Sequence, residues 1–325
     1  MTNFQVYRKI LSFSLVMFLV DILSFASMVG CCFAGFFIGN AIDPNSGAGI
    51  IGILVGFLVG IIVMSLINIF ITNRIKAAQI AMIVKGVTEG TLPEHAFKEG
   101  FNEIKGRFAK ITVFFFITNA IKSIFRQLGR TITRVGQALG GNVGGSIGST
   151  VDSAIQTLVA YLCDCCLGWI IYRKDVNSFK AACEGAVIFF KHGKTLIRNV
   201  GRIFGMGLLS FLLVGGALFG GFYLIFANMP NVMNAITSEM AKMASEGAEI
   251  SEVLTNPLTF TIAFAAFSAI IIWSMLHSVL IRPFILVGVM RNFMKAGLED
   301  IPTESDFAEL DARSPRFARL HSKVE

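Results

Sequence analysis

The chain has 325 residues, of which 54% are hydrophobic and 15% are charged, and its mean hydropathy is +0.69. This balance lies far outside that of soluble globular domains and indicates a protein whose solvent is the lipid bilayer. The formal net charge of +7 requires no nucleic-acid partner, because attraction to anionic lipids at the cytoplasmic face accounts for it.

Six stretches of the chain are long and apolar enough to form transmembrane helices, each of which needs about 20 mostly apolar residues to cross a hydrocarbon core of about 30 Å. The sequence therefore predicts an all-α, polytopic integral membrane protein with about six transmembrane helices, of which the third is the weakest. The predicted spans are residues 11–38, 49–72, 108–125, 152–172, 203–228 and 258–282.

The distribution of lysine and arginine predicts how these spans are oriented. The connections at 72–110 and 173–202 each contain seven of these residues, whereas the connections at 39–48 and 229–257 contain mostly acidic charges. Because cytoplasmic loops retain an excess of lysine and arginine, we expect both basic connections and both termini to be cytoplasmic. This arrangement predicts membrane lipids as partners, with anionic lipids at the cytoplasmic face.

A basic stripe follows the third predicted span. Lys122, Arg126, Arg130 and Arg134 recur every four residues and would share one face of a helix. A six-span topology places this stripe outside the cell, against the charge rule. Three interpretations remain open: an amphipathic helix with its cations among lipid headgroups, a basic vestibule that concentrates anions at a pore mouth, or a wrong topology at this point.

Small residues at four-residue spacing predict close helix packing. Such spacing lets two membrane helices approach closely, where van der Waals packing replaces the hydrophobic effect that lipid removes. It occurs in the second and fifth predicted spans. The helix-packing candidates are Gly52, Gly56, Gly60, Gly216 and Gly220.

The stretch 136–148 reads GQALGGNVGGSIG, and glycine at this density disfavours a water-exposed helix by about 1 kcal/mol per residue. It predicts either a flexible joint or a re-entrant, pore-lining segment. If it is a joint, the chain divides into a first membrane half, the joint, a second membrane half of like orientation and a cytoplasmic tail. We expect the tail to be either a docking or a disordered segment. The boundaries are 1–135, 136–150, 151–295 and 296–325.

Charged residues at membrane depth are the candidates for a functional pathway. Asp21 and Asp164 lie inside the first and fourth predicted spans, and His277 and Arg282 lie in the sixth. A carboxylate at the bilayer centre costs about 2.5 kcal/mol or more unless it is paired, protonated or hydrated. The acids therefore belong either to an ion or proton path or to a structural hydrogen-bonded site, with His277 and Arg282 as partners by residue type.

The cysteines and known catalytic motifs point to no chemistry. Cys163, Cys165 and Cys166 form a C-D-C-C run, but thiols at this spacing on a helix point in different directions and no second cluster completes a tetrahedral metal site. The sequence also lacks nucleotide-binding and hydrolase motifs in a suitable context. We therefore expect no metal, no cofactor and no enzymatic activity.

Three segments of the C-terminal half resemble choline transporter-like membrane proteins. They are LCDCCLGW from Leu162, FFKHGKTLIRNVGRIF, and the closing HSVLIRPFILVGVMRNFMKAGLED. Members of that family have a cysteine-rich span, a basic cytoplasmic segment and a final span that ends in a charged stretch. The resemblance implies a transport protein. It does not extend to choline as the substrate, because this chain has fewer predicted spans and no large external cysteine-bearing domain.

Two functions are compatible with these features. The first is a transporter-like or channel-like protein for a small solute or ion, suggested by the acids at membrane depth and by the two like-oriented halves. The alternative is a non-transporting scaffold or lipid-organising protein that acts through its basic cytoplasmic helices. Assembly into a homo-oligomer is left open, as is the identity of the membrane.

Overall fold

The computed structural model describes residues 1–43, 48–105, 123–124, 145–245 and 255–324, and these parts of the chain are helical with no β-strand. Three five-residue π-helical turns, at Asn68–Thr72, Phe211–Gly215 and His277–Ile281, interrupt longer helices. The α-helices are α1 (Asn3–Ile42), α2 (Ala48–Ile67), α3 (Asn73–Thr88), α4 (Ala96–Lys105), α5 (Gly145–Tyr172), α6 (Ser178–Ser210), α7 (Gly216–Ala227), α8 (Pro230–Ser245), α9 (Pro257–Leu276), α10 (Arg282–Glu299), α11 (Glu304–Arg313) and α12 (Pro315–His321).

Four continuous helical stretches among the described residues are long and apolar enough to cross a membrane: Asn3–Ile42, Ile51–Thr88, Gly205–Ala227 and Pro257–Glu299. They coincide with the first, second, fifth and sixth predicted spans. The assignment to an all-α membrane protein is thereby supported, whereas the number six is not. The third predicted span, 108–125, lies outside the described residues except for 123 and 124.

The fourth predicted span, 152–172, falls in α5 but has a different environment from the other four. Its described apolar part, Val159–Tyr172, is shorter than a membrane span. Leu162, Cys166 and Trp169 are each at most 1% exposed, whereas only 6% of the most apolar window of α1 is buried. This part of α5 is therefore apolar because it packs inside protein.

Three of the candidate spans are much longer than a bilayer requires. α1 has 40 residues and so extends about 60 Å, twice the thickness of the hydrocarbon core. Its early residues Val6, Ile10 and Phe13 are fully buried, while Leu19 and Leu23 further along are more than 60% exposed. The early part of α1 therefore contacts protein, and the later part has the apolar exposed surface of a membrane segment.

The same change occurs in the other two long stretches. Phe70 is 56% exposed just before α3, whose Ile75 is 4% exposed, and Leu280 is 38% exposed just before α10, whose Ile285 is 3% exposed. These buried ends pack with shorter helices into one bundle, which we call the helical core. It comprises the early part of α1, α3, α4, residues 159–172 of α5, the beginning of α6, and α10 to α12.

Close contacts between small and large residues hold the helical core together. A Cβ at Gly168 would lie 2.7 Å from the Met290 sulfur, and one at Gly297 would lie 2.6 Å from the Trp169 ring. α5 and α10 therefore approach as closely as glycine permits. Across the bundle, the buried Gln79 amide donates to the Ser14 hydroxyl at 2.8 Å, which satisfies both polar groups where water is excluded.

The C-terminal tail is folded as two helices. Thr303 begins α11 with a capping box, and Ser314 caps α12 with Pro315 at its first helical position, both arrangements that favour helix initiation. Each helix buries two large apolar side chains, namely Phe307, Leu310, Phe317 and Leu320. The sequence predicted that this tail is either a docking or a disordered segment. In the structure it forms two helices that pack through these side chains.

The glycines of α2 face α1. A Cβ at Gly52 would overlap the carbonyl oxygen of Gly35, and one at Gly56 would overlap that of Cys31. A Cβ at Gly60 would lie 2.9 Å from the Met28 side chain. The backbones of α1 and α2 are therefore in direct contact. At Gly216 and Gly220 in α7, by contrast, a Cβ would meet no described atom within 4 Å.

The chain forms two compact units, residues 1–200 with 283–325, and residues 201–282. In the second unit α9 contacts the segment just before α7: the Phe211 ring, in the π-helical turn Phe211–Gly215, meets the Trp273 ring edge to face at 5.0 Å, and the Trp273 indole donates to Ser210, the last residue of α6, at 3.3 Å. The predicted joint at 136–150 lies mostly outside the described residues, which resume at Gly145 as the start of α5. The division into two like-oriented halves stays a prediction.

Candidate functional site

Asp164 is the most deeply buried of the candidate pathway residues. It lies on the part of α5 inside the helical core and is 4% exposed. The Lys76 ammonium is 2.6 Å from one oxygen of its carboxylate. Lys76 belongs to the first turn of α3, directly after the π-helical turn Asn68–Thr72. The ion pair therefore lies where the membrane part of this helix gives way to the helical core.

The two partners differ in solvent exposure, and this difference determines the free energy of removing each charged group from water. The Asp164 side chain is 6% exposed and the Lys76 side chain is 32% exposed. A carboxylate removed from water requires a close counter-ion, whereas a lysine can direct its ammonium toward solvent along its aliphatic stem. Lys76 thus stabilises the ionised form of a buried acid, and this arrangement fits the structural interpretation of Asp164.

A second buried acid, Glu184, joins α5 to α6 in the helical core. Its carboxylate accepts a hydrogen bond from the Trp169 indole at 2.8 Å and lies 3.2 Å from the Arg173 guanidinium. The guanidinium also bonds the exposed Asp175, and this hydrogen bond, together with the nearby Glu184, raises the pKa of Arg173. The sequence analysis missed Glu184 because a single glutamate in a basic connection resembles an ordinary surface residue.

The cysteines around Asp164 are inert thiols in the core. Cys163, Cys165, Cys166 and Cys183 are all buried, and a Cβ at Gly185 would lie 3.1 Å from the Cys166 sulfur. Burial raises the pKa of the Cys183 thiol to about 12, so it remains protonated at physiological pH. No group of three potential metal-ligating side chains occurs in the described parts of the chain.

The remaining pathway candidates occupy three other places in the described parts of the chain. Asp21 lies on the exposed apolar part of α1, beside Leu19 and Ile22, and is partly buried. Among the described residues no hydrogen bond or ion pair links Asp21 to Asp164. His277 begins a π-helical turn and packs its ring 5.2 Å from that of Trp273. Arg282 is the first residue of α10.

The basic stripe of Lys122, Arg126, Arg130 and Arg134 lies outside the described residues, but its neighbours Ser123 and Ile124 do not. Ile124 is fully buried. The Arg316 guanidinium on α12 donates to the Ser123 carbonyl oxygen at 3.2 Å and also to its hydroxyl. Residue 123 therefore lies beside the C-terminal tail.

This contact bears directly on the topology. In the six-span arrangement Ser123 ends the third span on the outer side, while Arg316 belongs to a cytoplasmic tail. Two residues that share a hydrogen bond cannot lie on opposite faces of a bilayer whose hydrocarbon core is about 30 Å thick. The described contact therefore favours the third interpretation of the basic stripe, a wrong topology at this point, and the number of spans stays a prediction.

No protein-family model matches this chain, and no curated protein or solved structure matches it. The resemblance to choline transporter-like proteins stays a prediction. What can be concluded about function depends on the helical core and on the membrane helices that enter it.

Proposed function

We propose that this protein is a membrane-anchored scaffold with four spans, whose functional part is the helical core on the cytoplasmic side. The observation that carries the proposal is the continuity of three candidate spans with one packed bundle. The stretches Asn3–Ile42, Ile51–Thr88 and Pro257–Glu299 each combine an exposed apolar part with a fully buried part. Helices built in this way fix a protein domain at the membrane surface.

A four-span topology satisfies the charge rule throughout. Both termini and residues 73–204 lie on one side, and the segments 43–47 and 228–256 lie on the other. The two basic connections then remain cytoplasmic, and the stripe at 122–134 joins them instead of facing outward. Since the excess of lysine and arginine marks the cytoplasmic side, no connection opposes this arrangement.

The partners that fit such a domain are anionic lipids and proteins at the cytoplasmic face. Arg74 is exposed at the first turn of α3, close to where the apolar exposed surface ends. A cation near an anionic leaflet contributes about 1 kcal/mol of attraction. The pairing of Asp164 with Lys76 supports the scaffold over a transporter. A buried carboxylate whose charge is balanced by a lysine is poorly suited to bind and release a transported ion.

Transport of a small solute or ion is the second candidate, and Asp21 is the observation that favours it. This carboxylate lies in the membrane part of α1, where an isolated acid is costly, and the described residues give it no ion pair. An acid kept at this depth without a counter-ion is a common feature of proton and ion pathways.

Topology is tested with a membrane-impermeant thiol reagent on intact cells, in a background with Cys31 and Cys32 replaced by alanine. The buried core thiols should react little. We expect a cysteine at Ser245 to be labelled from outside and a cysteine at Lys98 to be protected. Arg130→Cys is the deciding variant: protection supports four spans, whereas labelling from outside supports six.

Function is tested with the purified protein in vesicles that contain anionic and zwitterionic lipids. We expect native mass spectrometry to detect retained anionic lipids, and we expect ion and small-solute fluxes no greater than those of protein-free vesicles. Arg74→Gln should reduce the retained anionic lipid. A flux that Asp21→Asn abolishes and Asp21→Glu preserves would contradict the scaffold and establish transport.

A further inference from the structure

The second compact unit, residues 201–282, is joined to the rest of the chain by two helical connections, and each is irregular. α6 leaves the first unit through a helix with non-helical torsion angles at His192, φ −102° and ψ 17°. The return from α9 to α10 passes through the π-helical turn His277–Ile281, followed at once by Pro283. Kinks and π-helical turns of this kind are points where helices bend.

The irregularity in the return connection has a clear chemical cause. Pro283 has no backbone N–H and its ring would clash with the carbonyl of the preceding turn, so an α-helix cannot continue through it undisturbed. The Arg282 N–H instead bonds the carbonyl of His277, five residues earlier. This wider turn places a weak point in the helix just before α10 enters the helical core.

The irregularity in α6 begins where the contacts with the helical core are charged. The Lys191 ammonium lies 2.9 Å from Asp300 and 3.2 Å from Asp306, and His192 lies 3.4 Å from Asp300. These ion pairs fix α6 up to the kink. Asp300 directly follows the far end of α10, so these ion pairs join α6 to the helical core and not to the return connection.

The other membrane hairpin has only one irregular connection: α2 reaches α3 through the π-helical turn Asn68–Thr72, whereas α1 contains no such turn. α1 runs without interruption for 40 residues from the helical core to its outer end, and its backbone contacts that of α2 at Gly52 and Gly56. A straight, closely packed helix transmits its position from one end to the other. The α1 and α2 hairpin is therefore a rigid extension of the core.

We propose that His192 and the segment 277–283 form a two-point hinge about which the α7 to α9 unit swings relative to the helical core and the α1 and α2 hairpin. Hinges use a few residues at element boundaries that absorb changes in backbone torsion. The inference does not rest on the scaffold function, because it follows from the connections alone. The ion pairs of Lys191 limit the bend on the α6 side.

The test measures distances between spin labels on the full chain in lipid nanodiscs, with Cys31 and Cys32 replaced by alanine. One pair of labels, at Ile42 and Ser238, reports between the two units. The control pair, at Ile42 and Glu94, lies within the first unit. We expect the distance distribution between the units to be about twice as wide as that of the control pair, as for a domain that bends at a hinge. Equal widths would overturn the hinge.

Two variants locate the hinge. Pro283→Ala restores a backbone donor, so we expect the inter-unit distribution to narrow while the control pair is unchanged. Lys191→Ala removes two ion pairs beside the kink, and we expect the inter-unit distribution to broaden. An inter-unit distribution that neither substitution alters would exclude these residues as the hinge. If Pro283→Ala fails to fold, the hinge is still tested by Lys191→Ala and by the comparison of the inter-unit and control distance distributions in the wild type.

Discussion

The ion pair between Lys76 and Asp164 allows a quantitative prediction from two single substitutions and their combination. Lys76→Met removes the ammonium and retains an aliphatic chain of similar length. Asp164→Leu removes the carboxylate and fills a similar volume. The double variant replaces the pair by apolar side chains. If the pair is structural, the three variants should differ in a definite order of stability.

The expected magnitudes follow from the exposure of each partner. Lys76→Met removes this cation from a carboxylate that is 6% exposed, and breaking a buried ion pair by removing one partner costs about 3–5 kcal/mol. Asp164→Leu leaves an ammonium that is 32% exposed and can turn toward water, so we expect only about 1–2 kcal/mol. The double variant should lie within about 1 kcal/mol of the wild type, since apolar replacement of an ion pair is often neutral.

Tryptophan fluorescence provides the assay. The chain has two tryptophans, and Trp169 is fully buried in the helical core, so a Trp273→Phe background reports on the core alone. A loss of about 3 kcal/mol corresponds to a fall in Tm of about 6–12 °C for a domain of this size. The reasoning is refuted if Lys76→Met is silent, or if the double variant loses the sum of the two single losses.

Three further substitutions test other parts of the structure. Gly56→Leu should destabilise the protein by about 2 kcal/mol or more in thermal unfolding, because its side chain would overlap the Cys31 carbonyl; Leu58→Ala, at a position 61% exposed, is the control, and equal losses would show that α1 and α2 do not depend on this contact. Glu184→Gln should cost about 3 kcal/mol in urea unfolding, the lower end of the range for a broken buried pair, and an unchanged midpoint would contradict the role of its charge. Hydrogen bonds from Thr303 lower the pKa of Asp306, so its contribution to stability is present above about pH 4, the usual value, and is lost as pH falls through the lower folded value; the hydrogen-exchange protection factors of residues 304–321, corrected for the intrinsic exchange rate, should therefore fall in acid in the wild type and less so in Asp306→Asn, and identical profiles would exclude this carboxylate.

The sequence determined the class of protein and four of its membrane helices. Composition and uninterrupted apolar windows suffice for this, because a span must satisfy its backbone within one helix and expose apolar side chains along its whole length. The spacing of Gly52, Gly56 and Gly60 likewise indicated one face of α2. These are local properties, and a single stretch of sequence contains them completely.

The tertiary structure alone decided which apolar helix meets lipid and which meets protein. Residues 159–172 of α5 are apolar enough to be predicted as part of a span, yet they are buried by α3 and α10, which lie far away in the sequence. Hydropathy measures only how unfavourable it is for a side chain to contact water. Burial in lipid and burial inside protein both remove that contact, so hydropathy does not distinguish them. For the same reason the sequence did not single out Lys76, which the fold brings within 2.6 Å of Asp164: a counter-ion is chosen by proximity in space, and no local pattern encodes that.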